Sequence, residues 1–359
     1  MPSSVSRHLL YWHAHHPRTL PWSDEKRNAY QIWLSEIIMQ QTRLEQGAGY
    51  YRRFIAAYPD VTSLAEAKLD EVMRLWQGLG YYTRARNLHK TATIICREYH
   101  GCFPSDYNTL LTLPGIGTYS AAAISSFAFG KRHAVVDGNV KRLISRYYGI
   151  MTPIDDANTQ KEIQQHADAW IKDTDPAEFN QAIMNFGAII CRPAPLCHQC
   201  PLASSCKAFQ QDLIDVIPVR KQKAKNKTRH LHFLLITYRR KMLFIQRTEK
   251  DIWQGLYTPV CVESNSDRSP SAVSMRRAVQ EWTGHIDFKK NHSGKTQKQL
   301  LTHQIIYGRF HYIELNAPPS KKIKNGQWLT LSQAEKMPKP RMITENLDSF
   351  FLKSKNPVK

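Results

Sequence analysis

Four cysteines fall within sixteen residues, CRPAPLCHQCPLASSC, spaced C-x5-C-x2-C-x5-C from Cys191 through Cys197 and Cys200 to Cys206. Thiolates this close in sequence can converge on one tetrahedral zinc or on a four-iron cluster. Zinc sites usually carry two C-x2-C pairs and this loop has one, so the spacing leans toward iron–sulfur. The remaining cysteines, Cys96, Cys102 and Cys261, are scattered, unlike the framework of a disulfide-stapled secreted domain. Two acids stand out elsewhere. Glu36, in WLSEIIMQQT, shares a helix face with Ile32, Met39 and Gln40. Desolvation there raises a carboxyl pKa, and an acid still protonated near pH 7 can serve as a general acid. Asp137, in HAVVDGNVKR, ends an apolar run just before a helix start at Asn139–Val140, where its plainest role is an N-cap. Paired, Glu36 would protonate a leaving group while Asp137 steadies an oxocarbenium-like sugar.

Two further stretches point to nucleic acid. LPGIG, residues 113–117, joins the helical runs SDYNTLLTL and TYSAAAISSFAFG. Gly115 and Gly117 let the amides at the second helix's start face outward, where they and the helix dipole bind a phosphate. A simple packing corner explains the same residues equally well. GLGYYTRARNLHK, residues 78–90, interleaves Tyr81 and Tyr82 with Arg84, Arg86 and Lys90. Aromatics flanked by cations suit base stacking beside phosphate neutralisation.

The elements that must position these residues follow from periodicity. Residues 28–42, 64–80, 83–99 and 160–173 carry apolar residues at helical spacing, with Ser105 as an N-cap and Gly80, Gly101, Gly130 and Gly149 as stops. Residues 216–229, VIPVRKQKAKNKTR, contain no acid and read as an exposed basic linker. Beyond them short β-branched and aromatic runs alternate with turns, interrupted by one helical segment at 272–284. The expected fold is a mainly α half, residues 1–215, joined through the linker to an α+β domain, residues 230–359. A net charge of +20 favours a polyanionic partner. No apolar run approaches the roughly 18 residues of a membrane span. The chain reads as soluble, cytoplasmic and monomeric.

Taken together, LPW at 20–22, WLSEIIMQQT, GLGYYTRARNL, LPGIG, VVDGNVKR, FNQAIMNFGA at 179–188 and the cysteine loop resemble the helix–hairpin–helix DNA glycosylases of the adenine-specific branch. The resemblance covers residues 5–210 and extends, more weakly, to a Nudix-like C-terminal domain. It implies a six-helix module and a [4Fe–4S] module that grip duplex DNA and excise adenine opposite 8-oxoguanine or guanine. By that resemblance Glu36 protonates the flipped adenine, Asp137 stabilises the cationic sugar and Asn139 holds Asp137. Gln41 and Tyr81 would wedge into the opened stack. Arg18, Leu20 and Trp22 would line the base pocket, with Gln40, Gln181, Arg84 and Arg86 among the DNA contacts. Cys191, Cys197, Cys200 and Cys206 would ligate the cluster.

This chain departs from the family pattern in several places. Tyr119 stands where the related endonuclease III branch has a Schiff-base lysine, and tyrosine forms no imine. Some adenine glycosylases share that tyrosine as a polar partner of the catalytic Asp. Little or no strand cleavage is therefore expected. The first cysteine loop, Arg192 to Leu196, is one residue shorter than usual. Leu301, Thr302 and His303 replace the usual Phe-Ser-His of the 8-oxoguanine-reading loop, so a hydroxyl and an imidazole remain. In the Nudix-like helix only Glu281 fits the usual glutamates, with Ala278 and Trp282 at other positions. Without a carboxylate cluster that domain reads as a recognition module. Two rivals stand beside this reading: a glycosylase/lyase acting on oxidised pyrimidines, and a non-catalytic iron–sulfur DNA-binding or redox-sensing protein.

Overall fold

A computed structural model of the chain describes residues 2–16, 28–222, 226–266, 268–285, 288–321, 323 and 325–353. The expected base-pocket residues Arg18, Leu20 and Trp22 lie outside them. The chain forms two compact units, one from Met1–Glu66 and Asn87–Lys223, the other from Ala67–Arg86 and Ala224–Lys359. The first carries 21 Lys and Arg against 18 Asp and Glu, a net +3; the second carries 29 against 12, a net +17.

Helices run α1 (Ser4–His15), α2 (Ala29–Met39), α3 (Leu44–Ala57), α4 (Val61–Glu66), α5 (Leu69–Leu75), α6 (Thr83–Tyr99), α7 (Tyr107–Thr112), α8 (Thr118–Phe129), α9 (Gly138–Tyr148), α10 (Ala157–Trp170), α11 (Pro176–Ile189) and α12 (Lys207–Gln210). Strands β1 (Lys227–Tyr238), β2 (Lys241–Gln246) and β3 (Tyr257–Ser264) lead to α13 (Ala272–Thr283). Then come β4 (Phe288–Ser293), β5 (Gln297–Leu300), β6 (Gln304–Leu315) and β7 (Gly326–Leu329), and the short helices α14 (Leu331–Glu335), α15 (Arg341–Thr344) and α16 (Leu347–Lys353).

The helical unit forms where the periodicity places it, with instructive boundary shifts. α2 starts at a reciprocal cap: the Asn28 side chain accepts from Gln31 N at 2.9 Å, and Gln31 Oε1 accepts from Asn28 N at 3.0 Å. It is buried nearly all round, through Tyr30, Ile32, Trp33, Leu34, Ile37 and Ile38. α7 is capped by Asp106, whose Oδ2 accepts from Thr109 N at 2.7 Å, and not by Ser105. The run 64–80 is not one helix but breaks between α4 and α5. A core joins α1 to α9, α10 and α11 through Leu9, Trp12, Ile144, Ile163, Trp170, Phe179 and Phe186.

In the second unit the sheet order is β4-β6-β1-β3-β2-β7, with β5 pairing β6. β1 runs parallel to β6 and antiparallel to β3. One face packs Leu234, Ile236, Val260 and Ile313 against Met275 and Val279 of α13. On the other, the Phe310 ring meets Phe350 of α16 at 4.7 Å between centroids. The helices α14 to α16 were not legible as helical periodicity, being too short to show it.

Two stretches differ from expectation. Residues 216–229 are not a free spacer: Ile217 is buried, Ile154 N donates to Val219 O at 3.0 Å, and β1 already begins at Lys227. Residues 67–86, inside the helical half by sequence, pack with the sheet unit. Tyr257 Oη donates to Asp70 Oδ2 at 3.2 Å, Lys339 N to Gln77 Oε1 at 3.0 Å, and Tyr82 Oη to Lys339 O at 3.2 Å.

Candidate active site

Glu36 projects from the buried helix α2 and is half-buried itself. Tyr119, on the first turn of α8, donates its Oη to Glu36 Oε2 at 2.8 Å and lies 3.8 Å from Met184 Sδ of α11. Burial above all, then the Glu36 charge, that hydrogen bond and the Asp137 charge hold the Tyr119 hydroxyl well above the usual phenol range. The same hydroxyl therefore senses both acids, and it stays a neutral donor. Tyr119 thus touches one candidate acid directly and is not only the place of a missing lysine.

Asp137, the second candidate acid, caps α9. Its Oδ1 accepts from Asn139 N at 2.9 Å and Val140 N at 2.7 Å, and its Oδ2 accepts from Asn139 Nδ2 at 2.8 Å. Asn139 Oδ1 in turn accepts from Arg142 Nη2 at 3.0 Å. Arg142 also donates Nη2 to Gly187 O at 2.7 Å and Nε to Cys191 O at 2.6 Å. A continuous set of hydrogen bonds thus runs from Asp137 to the backbone of the first loop cysteine. Gly187 is needed here, since a Cβ would stand 3.0 Å from Asn139 Cβ. Sequence reasoning missed Arg142, Met184 and Gly187; the motif FNQAIMNFGA contained the last two, read only for Gln181.

The hairpin sits under α6. Gly115 has φ +79°, and a Cβ there would meet Asn87 Cβ at 2.8 Å, so glycine is required twice over. Thr91 Oγ1 donates to Pro114 O at 2.7 Å and pins the turn. Gly117 has φ −94° with open space around it, so its conformation does not demand glycine. It caps α8 without any side-chain hydrogen bond, and both it and Thr118 are exposed. That leaves the first-turn amides available to an anion. Gln40 closes α2 and donates Nε2 to Ser120 Oγ at 3.2 Å, tying the acid's helix to the hairpin's.

Gln41 and Tyr81, the expected wedges, are both exposed and both left-handed, at φ 55° and φ 48°. A non-glycine residue in that region carries about 1 kcal/mol of strain. Within the sheet unit, Tyr81 Oη is hydrogen-bonded to Thr302 Oγ1, and Thr302 and His303 are exposed at the turn between β5 and β6. Gln181 donates Nε2 to Asn185 Oδ1 at 3.1 Å along α11. Arg84 and Arg86, the expected DNA contacts, have acceptors within their own unit. Arg84 donates Nη2 to Leu79 O and Gly80 O, both at 3.3 Å, and burial lowers its pKa to about 10. Arg86 donates Nη1 to Gln254 O at 2.6 Å and Nη2 to Thr83 Oγ1 at 2.9 Å. Partly buried guanidiniums need acceptors, and these find carbonyls and a hydroxyl of their own unit.

All four loop thiols, Cys191, Cys197, Cys200 and Cys206, line one cavity whose other walls are mainly apolar, including Leu143, Ile190, Leu202 and Phe209. Among the described residues no three His, Cys, Asp or Glu side chains gather tightly enough to hold a single metal ion. The all-sulfur donors instead surround a space, which fits a multinuclear cluster. Burial pushes the Cys200 thiol up to about 11, and the neighbouring thiols push the same way. Four bare thiolates would repel, so a cationic centre suits them. Arg146 supports the loop from one side, with Nη1 3.7 Å from Cys191 Sγ and donating to Arg192 O at 2.8 Å.

Residues 34–173 match the profile of the HhH-GPD superfamily of base excision DNA repair proteins. The chain is 33% identical over 357 residues to the adenine DNA glycosylase of Buchnera aphidicola subsp. Schizaphis graminum, covering 95% of this chain and 97% of that one. The chain belongs to the adenine DNA glycosylase family. The human adenine DNA glycosylase is 40% identical over 212 residues, 56% of this chain and 39% of the human one. Among solved structures, a thermostable thymine-DNA glycosylase superposes with a TM-score of 0.54 at 28% identity, over 58% of this chain and 95% of that one. That structural match covers little more than half of this chain. No helix among the described residues is long and apolar enough to cross a membrane.

Proposed function

We propose that the protein hydrolyses the N-glycosidic bond of adenine opposite 8-oxoguanine or guanine in duplex DNA, without cutting the strand. The observation that carries the reading is the Tyr119 hydroxyl, 2.8 Å from Glu36 Oε2 and within reach of the Asp137 charge. Two acids and a neutral donor on three separate elements form the constellation that oxocarbenium chemistry needs. The target nucleotide leaves the stack before reaction. Glu36 hands a proton to the adenine ring as the bond to C1′ breaks; with Oε2 accepting from Tyr119, that proton resides on Oε1. The sugar carries the positive charge that forms, and the Asp137 carboxylate, fixed by three N–H donors, stabilises it. Water adds to C1′ and gives up one proton, which restores Glu36 to its acid form, while adenine departs carrying the proton that Glu36 supplied.

Cys191, Cys197, Cys200 and Cys206 would hold a [4Fe–4S] cluster, whose contribution is to fix the shape of the 191–206 loop. Tyr119 offers no amine for an imine, so the reaction stops at the abasic product. Gly115 and Gly117 present amides to a phosphate, Gln41 and Tyr81 enter the opened stack, and Thr302 and His303 read the opposite base. Single-turnover release of adenine from duplexes pairing A with 8-oxoguanine, G, C or T tests the reading. Release is expected from the first two. Efficient borohydride trapping of a protein–DNA adduct would instead establish lyase chemistry and overturn the monofunctional assignment.

A further inference from the structure

We propose that Ser293, His311 and His232 of the sheet unit form an acyl-transfer site, in which the Ser293 hydroxyl takes up the acyl group of a small ester. Ser293 closes β4 and pairs directly with His311 of β6, so the two side chains share a sheet face. Ser293 Oγ lies 2.8 Å from His311 Nδ1, and His311 Nε2 lies 3.1 Å from His232 Nδ1 of β1. His232 Nε2 lies 3.0 Å from Ser264 Oγ at the end of β3, and Ser264 donates its hydroxyl to Ser266 O at 2.5 Å. One carbonyl thereby sets every proton in the row. Ser264 has no second proton to give, so it accepts from His232 Nε2–H. Neutral His232 then offers Nδ1 to His311 Nε2–H, and neutral His311 offers Nδ1 to the Ser293 hydroxyl.

The row is anchored on a carbonyl at one end and open at the other. His232 and His311 are 1% and 0% exposed, whereas Ser293 is exposed. A hydroxyl that donates to an imidazole nitrogen, with the ring's other N–H held by a third group, is the arrangement that activates a serine. Burial of both rings strengthens the bonds between them and fixes their tautomers. Arg309, two residues before His311 and so on the same face of β6, supplies a cation for the oxyanion of an acyl intermediate; its Nε donates to Thr296 Oγ1 at 3.0 Å. In the reaction, Ser293 Oγ bonds to the ester's carbonyl carbon as its proton passes to His311 Nδ1. The bond from that carbon to the leaving oxygen breaks, and the departing oxygen takes the proton. Water then adds to the acyl carbon and gives a proton to His311. The carbon–Oγ bond breaks, Ser293 Oγ recovers that proton, and the acid is released. His232 exchanges no proton; it is a positioning residue that holds His311 in the accepting tautomer. None of this rests on the proposed DNA reaction, which uses none of these residues.

The test uses the full-length protein and 4-methylumbelliferyl acetate. Release of the fluorescent phenol is followed by stopped flow, and the acetyl group is located by peptide mass spectrometry. The parent is expected to give a saturable burst approaching one phenol per chain, with an acetyl adduct on Ser293. Ser293→Ala, a change at an exposed hydroxyl, abolishes burst and adduct while thermal unfolding stays cooperative. Ser264→Ala removes the acceptor that fixes His232 and lets that ring take its other tautomer. Its burst rate should fall on the order of tenfold with the amplitude kept, and Ser264→Thr should restore the rate. The proposal is overturned if the parent acquires no acetyl group on Ser293, if Ser293→Ala keeps the burst, or if Ser264→Ala reacts at the parental rate.

Discussion

The two units bury charge in opposite ways. In the helical unit Arg142 and Arg146 are 7% and 3% exposed, and both are spent on backbone carbonyls around the cysteine loop. In the sheet unit Arg229, 8% exposed, is clamped by two carboxylates, with Asp251 Oδ1 at 2.8 Å and Glu263 Oε2 at 2.7 Å. Net charge divides just as unevenly, +3 against +17. The nearly neutral unit holds Glu36, Asp137 and Tyr119, the candidate catalytic groups, while in the strongly basic unit Ala278 and Trp282 of α13 lie against an apolar cluster. On the proposed function, chemistry and electrostatic attraction are divided between the two.

Substitutions should respect that division. The largest effect belongs to Glu36→Gln, which should cut single-turnover adenine release by about 10²- to 10⁴-fold while duplex affinity stays near parental. Equal losses of rate and affinity would erase the distinction between the units. Arg142→Met comes next. It strands Cys191 O, Gly187 O and Asn139 Oδ1, so unfolding should become easier by about 2–4 kcal/mol and adenine release slower. Thermal denaturation beside a rate measurement separates the two effects.

In the sheet unit the matching probe is Lys339, 1% exposed, whose Nζ donates to the carbonyls of Ala334, Glu335 and Met337. Burial, with help from the Arg74 charge, lowers its pKa from 10.5 to about 8. Between those values the unfolded chain holds a proton that the folded chain has lost, so stability should rise with pH across that window, by on the order of 1–3 kcal/mol. Lys339→Met should flatten the rise in pH-dependent denaturation; an unchanged slope would assign it elsewhere. The smallest effect is that of Tyr119→Phe. Its hydroxyl donates to the ionised form of Glu36, so removing it favours the protonated acid. The alkaline limb of adenine release should move to higher pH, with a rate change below about tenfold.

Much of the site could be read from the chain because its residues sit in local motifs. Asp137 and Asn139 are two residues apart, the cysteines share one loop, and Glu36 lies on a helix whose apolar content is plain. What could not be read depends on long-range packing. Arg84 and Arg86 read as a DNA-facing pair, and nothing local announces that Leu79 O, Gly80 O and Gln254 O accept from their guanidiniums. Arg142 ends the motif VVDGNVKR, but only the approach of the 187–191 stretch to α9 adds Gly187 O and Cys191 O as acceptors. The helices α14 to α16 are too short for periodicity to show, and the affiliation of residues 67–86 has no local signal at all.

That last segment has a consequence in time. Asp70 leaves the ribosome 187 residues ahead of Tyr257, its hydrogen-bond partner. At about 5–20 residues per second the wait is roughly 10–40 s. Meanwhile the flanking stretches 1–66 and 87–223 can already be finding one another, leaving 67–86 a tethered insertion with its sheet not yet made. Gln77 and Tyr82 would spend that interval without Lys339, their hydrogen-bond partner in the finished fold. Completion of the sheet unit is thus coupled to the end of translation, and a chain stopped after the helical half would carry an orphaned piece of the other.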